Sequence, residues 1–422
     1  MASTPRLDFR VSRGSRSTIS PPIPRAYEWA SRYVPTPTRP LLDMAQGVPG
    51  IPPPEALRAA LGKAGANQAS FGYCPWSGEE ELREALVREM KLVYGEGTYV
   101  KAEDVALTAG CNMAFMAVAM SIVDSGDEVI LPMPWYFNHQ MSLNLLGVEA
   151  IPLPTLSENG FTPSVERCRE LITLKTRAIA LVTPNNPTGA TYSPKLISSF
   201  FDLAHEYKLA LIIDETYRDF ITTSTPPHNL FSSPLTPWRS TFIHLFSFSK
   251  SYCLPGHRLG AIVASPELLT TSVRKVLDSM QICPPRPIQQ ALGPLLPSLR
   301  GFVRETALAL ESRHILFKDH LPEKWRIGAQ GGYFAFVRHP FVRVCAVDVC
   351  QRLAEEVGVV TLPARFFSDA RERESGAEGE KEEPVEEEER WIRFSVANIP
   401  DEKVLQVCER LSESEKVFGW KM

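Results

Sequence analysis

The fold of this chain is decided by one stretch, Thr241-Phe242-Ile243-His244-Leu245-Phe246-Ser247-Phe248-Ser249-Lys250. Residues 241–246 are mostly apolar and rich in β-branched and aromatic side chains, which is typical of a buried strand. A lysine just past the end of such a strand is not placed for a solvated surface. Burial lowers the proton affinity of an amine and makes it nucleophilic, as Schiff-base chemistry requires. On this stretch alone, a solvated surface lysine is the commoner outcome, so other segments must support the chemistry.

Two segments could bind a phosphate group. Ser247, Ser249 and Arg258 supply hydroxyls and a guanidinium, which are natural phosphate donors. The turn at Gly110 opens an apolar helix predicted for residues 113–123. The start of a helix offers unpaired N–H groups and the positive end of a dipole. A simple strand-to-helix connection explains this turn equally well.

Alternating strands and helices between residues 105 and 264 predict the architecture. They favour an α/β fold with a mostly parallel sheet that helices cover on both faces. The apolar strand 209–213 ends in Asp214, and a buried carboxylate needs a partner such as a protonated ring nitrogen. The strand 178–183 leads into a rigid loop, residues 184–189, which contains Asn186.

Composition excludes several classes of protein. The chain has 422 residues, enough for two domains, and a formal net charge of -4 argues against a general nucleic-acid binder. No apolar run reaches the length of a membrane span, so no membrane association is expected. Eight cysteines are dispersed without a Cys-x-x-Cys pair, which favours a reduced cytosolic protein over a disulfide framework or a zinc site.

Two segments of the chain, residues 1–25 and 371–390, are unusual in composition. Residues 1–25 contain five arginines and one acid, a bias that mitochondrial transit peptides share, but their prolines oppose a helix. We therefore predict an extended N-terminal arm in the cytosol, continued as an irregular, proline-rich segment from Pro21 to Pro54. Residues 371–390 contain ten glutamates and four basic residues, which predicts a solvated, disordered insertion. In the strand predicted from residue 391 onward, side chains alternate between two faces, which places Ile392 and Phe394 on one face and Arg393 on the other.

Five segments together carry a family resemblance: the turn at Gly110, the loop Pro187-Thr188-Gly189, Asp214-x-x-Tyr217, the Lys250 stretch, and Arg393-x-Ser395. In this order and spacing the chain resembles the class I/II aminotransferases, pyridoxal-phosphate enzymes of fold type I. The resemblance implies a large domain with a mostly parallel seven-stranded sheet and a smaller α+β domain. Residues 1–47 would form the arm and part of the small domain, 48–297 the large cofactor-binding domain, and 298–422 the small C-terminal domain.

The resemblance also implies a site. Lys250 would hold pyridoxal 5'-phosphate covalently and shuttle a proton, while Asp214 would pair with the ring nitrogen, with His139 behind it. Tyr217 and Asn186 would donate hydrogen bonds to the phenolic oxygen. The implied cofactor residues are Gly110, Cys111, Asn112, Tyr136, Asn186, Asp214, Tyr217, Ser247, Ser249, Lys250, Arg258 and, from a neighbouring subunit of a homodimer, Tyr73. The implied substrate residues are Gly47, Asn186 and Arg393, the last as a clamp for the α-carboxylate.

The implied reaction is transamination between an L-amino acid and a 2-oxo acid by a ping-pong mechanism. Elimination, cyclopropane-forming synthesis and oxidation use the same lysine, aspartate and arginine, so they remain alternatives. A non-catalytic ligand sensor would need a DNA-binding domain, which the proline-rich first fifty residues cannot hold. Residues 278–281 lack the arginine that dicarboxylate-specific members carry, which argues against an aspartate-specialised enzyme. Arg286 could bind the side-chain carboxylate in place of that arginine, or it could have a purely structural role.

Overall fold

The computed structural model describes residues 8–232, 237–369 and 385–422. Thirteen strands lie within these ranges: β1 (Leu42–Asp43), β2 (Val105–Thr108), β3 (Glu128–Met133), β4 (Glu149–Pro154), β5 (Thr176–Val182), β6 (Ala210–Asp214), β7 (Phe242–Ser247), β8 (Gly260–Val263), β9 (Arg326–Gly331), β10 (Phe334–Arg338), β11 (Val359–Val360), β12 (Leu362–Pro363) and β13 (Trp391–Ser395).

The same ranges contain sixteen α-helices: α1 (Arg13–Ser17), α2 (Ile23–Ala30), α3 (Glu55–Ala66), α4 (Glu80–Tyr94), α5 (Cys111–Ile122), α6 (Phe137–Leu146), α7 (Val165–Leu171), α8 (Pro194–Glu206), α9 (Trp238–Thr241), α10 (Phe248–Ser251), α11 (Pro266–Leu268), α12 (Arg274–Gln281), α13 (Arg286–Leu295), α14 (Arg300–His320), α15 (Ala346–Glu356) and α16 (Asp401–Val417). Among the described residues, no helix is both long and apolar enough to cross a bilayer.

A seven-stranded sheet with the order β2-β8-β7-β6-β5-β3-β4 forms the centre of the larger part. β8 runs antiparallel to β2 and β7, and the other pairs are parallel. Successive residues of β6 alternate between two apolar cores: Leu211 and Ile213 pack in one, and Ile212 in the other. Because side chains of a strand point alternately to its two faces, the sheet is covered on both sides. The predicted mostly parallel α/β sheet is confirmed.

The smaller part is built on a four-stranded antiparallel sheet with the order β12-β13-β10-β9. The long helix α14 leads into it from the larger part. Ile392 and Phe394 of β13 belong to the core of this part, together with buried residues of α15 and α16. Arg393, between them, points to the opposite face and towards Asn186, in the loop that follows β5. The alternation predicted for this strand is therefore what the structure contains.

The N-terminal segment is more ordered than its prolines predict. Helices α1 and α2 form where we expected an extended arm, and α2 buries Ala26 and Trp29. Pro24 lies in the first turn of α2, where its missing N–H costs nothing. β1 then pairs in parallel with β11 of the small part. The prediction of an irregular segment from 21 to 54 is thus wrong for α2 and β1.

Two further predictions need correction or restriction. The prolines of 282–287 predict an irregular crossing, but α13 begins within it, at Arg286, with Pro287 in its first turn. The disordered insertion predicted for 371–390 lies outside the described residues up to 384. From 385 onward the prediction is wrong, because 387–390 form a 3-10 turn and the buried Arg390 donates to the carbonyl oxygen of His339 at 3.0 Å.

Candidate active site

A cavity of about 340 Å³ opens at the carboxyl ends of β5, β6 and β7. Open α/β sheets bind their ligands at this edge. The residues of the predicted site that line the cavity are Gly47, Cys111, Asn112, Tyr136, Asn186, Asp214, Tyr217, Ser247, Ser249, Lys250, Arg258 and Arg393. The fold thus brings side chains of the large sheet, the small sheet and the N-terminal segment into one space.

Two of the predicted residues lie outside this lining. Gly110 precedes α5 with a φ of 89°, and a Cβ atom there would lie 2.3 Å from Nη2 of Arg258. Only glycine lets the turn and the arginine approach so closely. Tyr73 is 77% exposed on the surface of its own chain. Its role in the site of a neighbouring subunit therefore stays a prediction.

Asp214 ends β6 and faces the cavity as a buried carboxylate. Its Oδ1 accepts hydrogen bonds from the backbone N–H and the hydroxyl of Thr216, at 3.0 and 2.7 Å. Its Oδ2 lies 3.3 Å from Nε2 of His139, whose ring stacks on Phe115. Burial alone would raise the pKa of Asp214, but the hydrogen bonds of His139 and Thr216 outweigh it and hold that pKa below its ordinary value. Asp214 is therefore a charged carboxylate at neutral pH.

Lys250 lies in α10, directly after β7, and its Nζ donates to the carbonyl oxygen of Gly47 at 2.5 Å. Burial, with the guanidinium groups of Arg393 and Arg258 nearby, lowers the pKa of Lys250 to about 8. At pH 7 roughly a tenth of such amines are uncharged, against fewer than about one in a thousand for an unperturbed lysine. The side chain is thus prepared for nucleophilic attack and proton transfer.

Groups that bind anions gather at the N-terminus of α5. Gly110 is its N-cap and offers no side chain to pair with the first N–H groups. A Cβ atom at Gly260 of β8 would lie 2.7 Å from the backbone nitrogen of Cys111, so glycine permits this tight packing. Arg258 donates to one backbone carbonyl at 3.0 Å, and none of the described carboxylates pairs with it. This corner of the cavity therefore carries unneutralised positive charge.

Arg393 reaches the cavity from β13 and is only 2% exposed. Its Nη1 donates to Oδ1 of Asn186 at 2.8 Å, and its Nη2 donates to the carbonyl oxygen of Ala45. The ring of Phe334 lies 4.6 Å from the guanidinium carbon. Burial lowers the pKa of Arg393 to about 10, so the group stays protonated at neutral pH. Within the described part of the chain no carboxylate pairs with this buried cation, which leaves it available to an anion.

Two phenols line the cavity beside Asp214. Tyr217 packs against Tyr333 and Phe334, with ring centroids 5.2 and 5.3 Å apart, and burial raises its pKa. The hydroxyl of Tyr136 donates to Oδ1 of Asn112 at 3.3 Å, and burial raises the pKa of Tyr136 to about 12. Both hydroxyls therefore keep their protons at neutral pH and can donate hydrogen bonds.

The cavity also contains residues that the sequence analysis did not single out: Ile23, Gln46, Val48, Phe137, Asn138, Val182, Thr216, Pro255 and Phe334. Thr216 could have been found, because a hydroxyl two positions after a buried aspartate can bond to it. Ile23 has no local signal, since α2 reaches the cavity only through tertiary packing. Phe334 also explains Gly47, where a Cβ atom would lie 2.7 Å from the phenyl ring.

Comparison with solved structures establishes the fold. Aspartate aminotransferase from Thermus thermophilus, solved with maleate, superposes with a TM-score of 0.82 at 24% identity, over 96% of this chain and 99% of that one. YbdL from Escherichia coli, a methionine aminotransferase, gives 0.82 at 22% identity over 96% and 100% of the two chains. The predicted fold, fold type I of the pyridoxal-phosphate enzymes, is therefore confirmed.

Sequence comparison establishes the family. The aminotransferase class I and II family matches residues 39–411. Aromatic-amino-acid aminotransferase 2 of Thermococcus litoralis is 28% identical over 352 residues, which cover 80% of this chain and 89% of that protein. Aspartate/prephenate aminotransferase of Thermus thermophilus is 27% identical over 78% and 84% of the two chains. The chain belongs to the aminotransferase class I and II family and is a pyridoxal-phosphate-dependent transaminase, as the resemblance implied.

Proposed function

We propose that this aminotransferase binds pyridoxal 5'-phosphate in the cavity described above and exchanges an amino group between an L-amino acid and a 2-oxo acid through Lys250. The observation that carries the proposal is the charge of the cavity. Three cations, Lys250, Arg258 and Arg393, line it against one carboxylate, Asp214. A phosphate group and a substrate carboxylate would supply the missing negative charge.

The side chains match the functional groups of the cofactor one by one. Gly110, Cys111 and Arg258, with the hydroxyls of Ser247 and Ser249, would hold the phosphate at the N-terminus of α5. Asp214 would hold the ring nitrogen, Tyr217 and Asn186 the phenolic oxygen, and Tyr136 the ring face. When bound, the cofactor supplies a carbonyl that takes up the amino group and a ring that withdraws electrons from the substrate's Cα.

Asp214 would hold the ring nitrogen of the cofactor and keep it protonated. Its pKa is lowered, so the carboxylate stays charged over the physiological range and favours a protonated nitrogen opposite it. His139 and Thr216 fix both of its oxygens, which keeps the charge in one position. A neutral partner at this position would leave the nitrogen unprotonated.

Lys250 moves the proton at the substrate's Cα. Its amine has a pKa of about 8, close to the working pH, and this closeness favours both uptake and release of a proton at Nζ. The carbonyl of Gly47, which accepts from Nζ, orients the amine towards the cavity. The same nitrogen would hold the cofactor before the substrate arrives.

Arg393 orients the substrate. The guanidinium can form two parallel hydrogen bonds to an α-carboxylate, a geometry that fixes direction as well as position. Asn186 and Ala45 already hold it in place, so little side-chain freedom is lost on binding. Gly47 would meet the same carboxylate through its backbone.

We further propose a cytoplasmic homodimer with the domain limits implied by the resemblance: 1–47, 48–297 and 298–422. Tyr73 is exposed, and so is Phe71, two residues earlier in the same loop, at 76%, so this loop can reach the phosphate corner of a second copy. All eight cysteines are free thiols, which suits a reducing compartment.

The test compares Lys250→Ala with Lys175→Ala, an exposed lysine, both loaded with cofactor. Lys250→Ala should lose turnover by at least about 10⁴-fold and lose the visible absorption of the covalently held cofactor. Lys175→Ala should behave as the unmodified chain does. Turnover retained in Lys250→Ala would refute the role given to this lysine. An amino acid added without a keto acid should bleach the cofactor stoichiometrically, whereas release of ammonia or a thiol would contradict transamination.

A further inference from the structure

The charges that line the cavity also bear on the side chain of the amino donor. The proposed function uses all three cations: Lys250 for the cofactor, Arg258 for the phosphate corner and Arg393 for the α-carboxylate. None of the described residues adds a fourth cation to the lining. A second carboxylate on the substrate would therefore find no unused cation of the same chain in the cavity.

We propose that the amino donor of this enzyme carries an uncharged, apolar or aromatic side chain and not a second carboxylate; this inference rests on the proposed function of the same site. The wall formed by the N-terminal segment fits such a side chain. Ile23 and Val48 line it with their aliphatic groups, and Phe334 lies beneath Gly47 and Arg393. Burial of an apolar side chain against this wall is favourable, whereas burial of an unpaired carboxylate is not.

Arg286, which contacts the loop that carries Tyr73, does not supply an unpaired cation from a neighbouring subunit. Arg286 is bound to that loop, because its Nη1 donates to the carbonyl oxygen of Gly72 at 3.3 Å. Its Nε donates to Oε1 of Glu79 at 2.6 Å. Wherever the Tyr73 loop lies in a dimer, Arg286 accompanies it as an ion pair. Its charge is already neutralised by Glu79 of its own chain.

The neutral amide side chains of Gln46 and Asn138 do not change this charge balance. Gln46 and Asn138 also line the cavity, and both can donate a hydrogen bond to a carboxylate without neutralising its charge. They can equally accept from a hydroxyl or an indole N–H. The cavity therefore admits a polar atom at the end of an aromatic side chain more readily than a charge.

The experiment measures cofactor bleaching by single amino acids with the loaded enzyme. Phenylalanine, tyrosine, leucine and methionine should react with kcat/KM at least about a hundredfold above aspartate and glutamate. Aspartate equal to or better than the best apolar donor would overturn the inference while leaving transamination intact. Failure of every amino acid would instead overturn the proposed function. Calorimetry with 3-phenylpropanoate and succinate gives a readout without turnover, and the first should bind at least tenfold more tightly.

Two variants test which residues determine the preference for the donor's side chain. Ile23→Arg adds a cation to the wall and should shift the aspartate-to-phenylalanine ratio of kcat/KM at least about tenfold towards aspartate. The matched control is Val34→Arg, a change at a side chain that is 81% exposed, which should leave the ratio unchanged. An unchanged ratio in Ile23→Arg would remove this wall from the side-chain site. Arg286→Ala should also leave the ratio unchanged, and a selective loss of aspartate activity would show that Arg286 binds a second carboxylate.

Discussion

Two buried polar clusters lie on opposite faces of β6. The cavity cluster contains Asp214 with Lys250, Arg258 and Arg393. The rear cluster lies behind the sheet and starts at the next residue, Glu215. Its members are Glu89, Tyr94, Glu215, Arg218, Asp219, His228, His244 and Arg300.

The two clusters differ in how their charges are paired. In the rear cluster Glu215 lies 3.0 Å from Nε2 of His244, and Asp219 accepts from Arg300 at 2.8 Å. Arg218 lies between them, 3.9 Å from Asp219. In the cavity cluster the cations donate to carbonyl and amide oxygens instead. A polar cluster that stabilises a fold neutralises its own charges, whereas a binding site leaves them for the ligand.

The largest expected effect is a loss of turnover when Asp214 of the cavity cluster is replaced. Asp214→Asn removes the charge that, in the proposed function, would keep the ring nitrogen protonated, so turnover should fall at least about a thousandfold. The free energy of unfolding should change by less than about 1 kcal/mol, since the amide retains the hydrogen-bonding oxygen for Thr216. Steady-state kinetics and urea unfolding measure the two quantities. Asp202→Asn, an exposed change in α8, is the control, and a tenth of normal turnover in Asp214→Asn would contradict the assignment.

For the rear cluster we expect the opposite result, a loss of stability with little loss of turnover. Glu215→Ala leaves His228 and His244 without their carboxylate, and removal of one partner of a buried pair costs about 3 kcal/mol. The urea midpoint should fall accordingly, while kcat of the folded enzyme stays within about fivefold. A loss of turnover without a loss of stability would abolish the distinction between the two clusters.

A smaller effect is expected for the substrate clamp. Arg393→Lys keeps the positive charge but cannot form two parallel hydrogen bonds, so KM for the amino donor should rise about tenfold to a hundredfold. kcat should change less than KM. Arg390→Lys, a conservative change next to the same strand, should leave KM unaltered. Equal KM values for both variants would remove Arg393 from the carboxylate site.

The smallest effect is a pH dependence of stability. Burial raises the pKa of Glu89 from 4.5 to about 7, although Arg300 opposes the shift. Because the folded chain then binds this proton more tightly than the unfolded chain, the contribution of Glu89 to stability falls as pH rises from about 4.5 to 7. Glu89→Gln should reduce the loss of stability between pH 5 and pH 8 in urea unfolding. A steeper loss in the variant would contradict the sign.

The large sheet was predictable because its strands are short apolar runs. The predicted strands 178–183 and 209–213 correspond to β5 and β6. The N-terminal segment was not predictable in the same way, since proline content hides α2 and its stability comes from Trp29 packing on Phe366, with ring centroids 5.9 Å apart. Local propensity cannot report such a distant contact.

The residues of the candidate site also differ in whether the sequence alone could reveal them. Asp214, Lys250 and Arg393 stand beside strand ends or on a strand, where a charged residue in an apolar run is conspicuous. Ile23 and Phe334 are ordinary apolar residues, and only the folded chain reveals that they line a cavity. Glu215 directly follows Asp214, and nothing in the sequence separates the carboxylate that faces the cavity from the one that faces the core.

The position of Ile23 has a practical consequence for protein engineering. The family match begins at residue 39, so a chain trimmed to that boundary would keep every proposed catalytic group. It would nevertheless lose α2, and with it one wall of the cavity and the partner of Phe366. Truncation at the homology limit would therefore open the donor site to solvent, and activity screens should begin from a chain that retains α2.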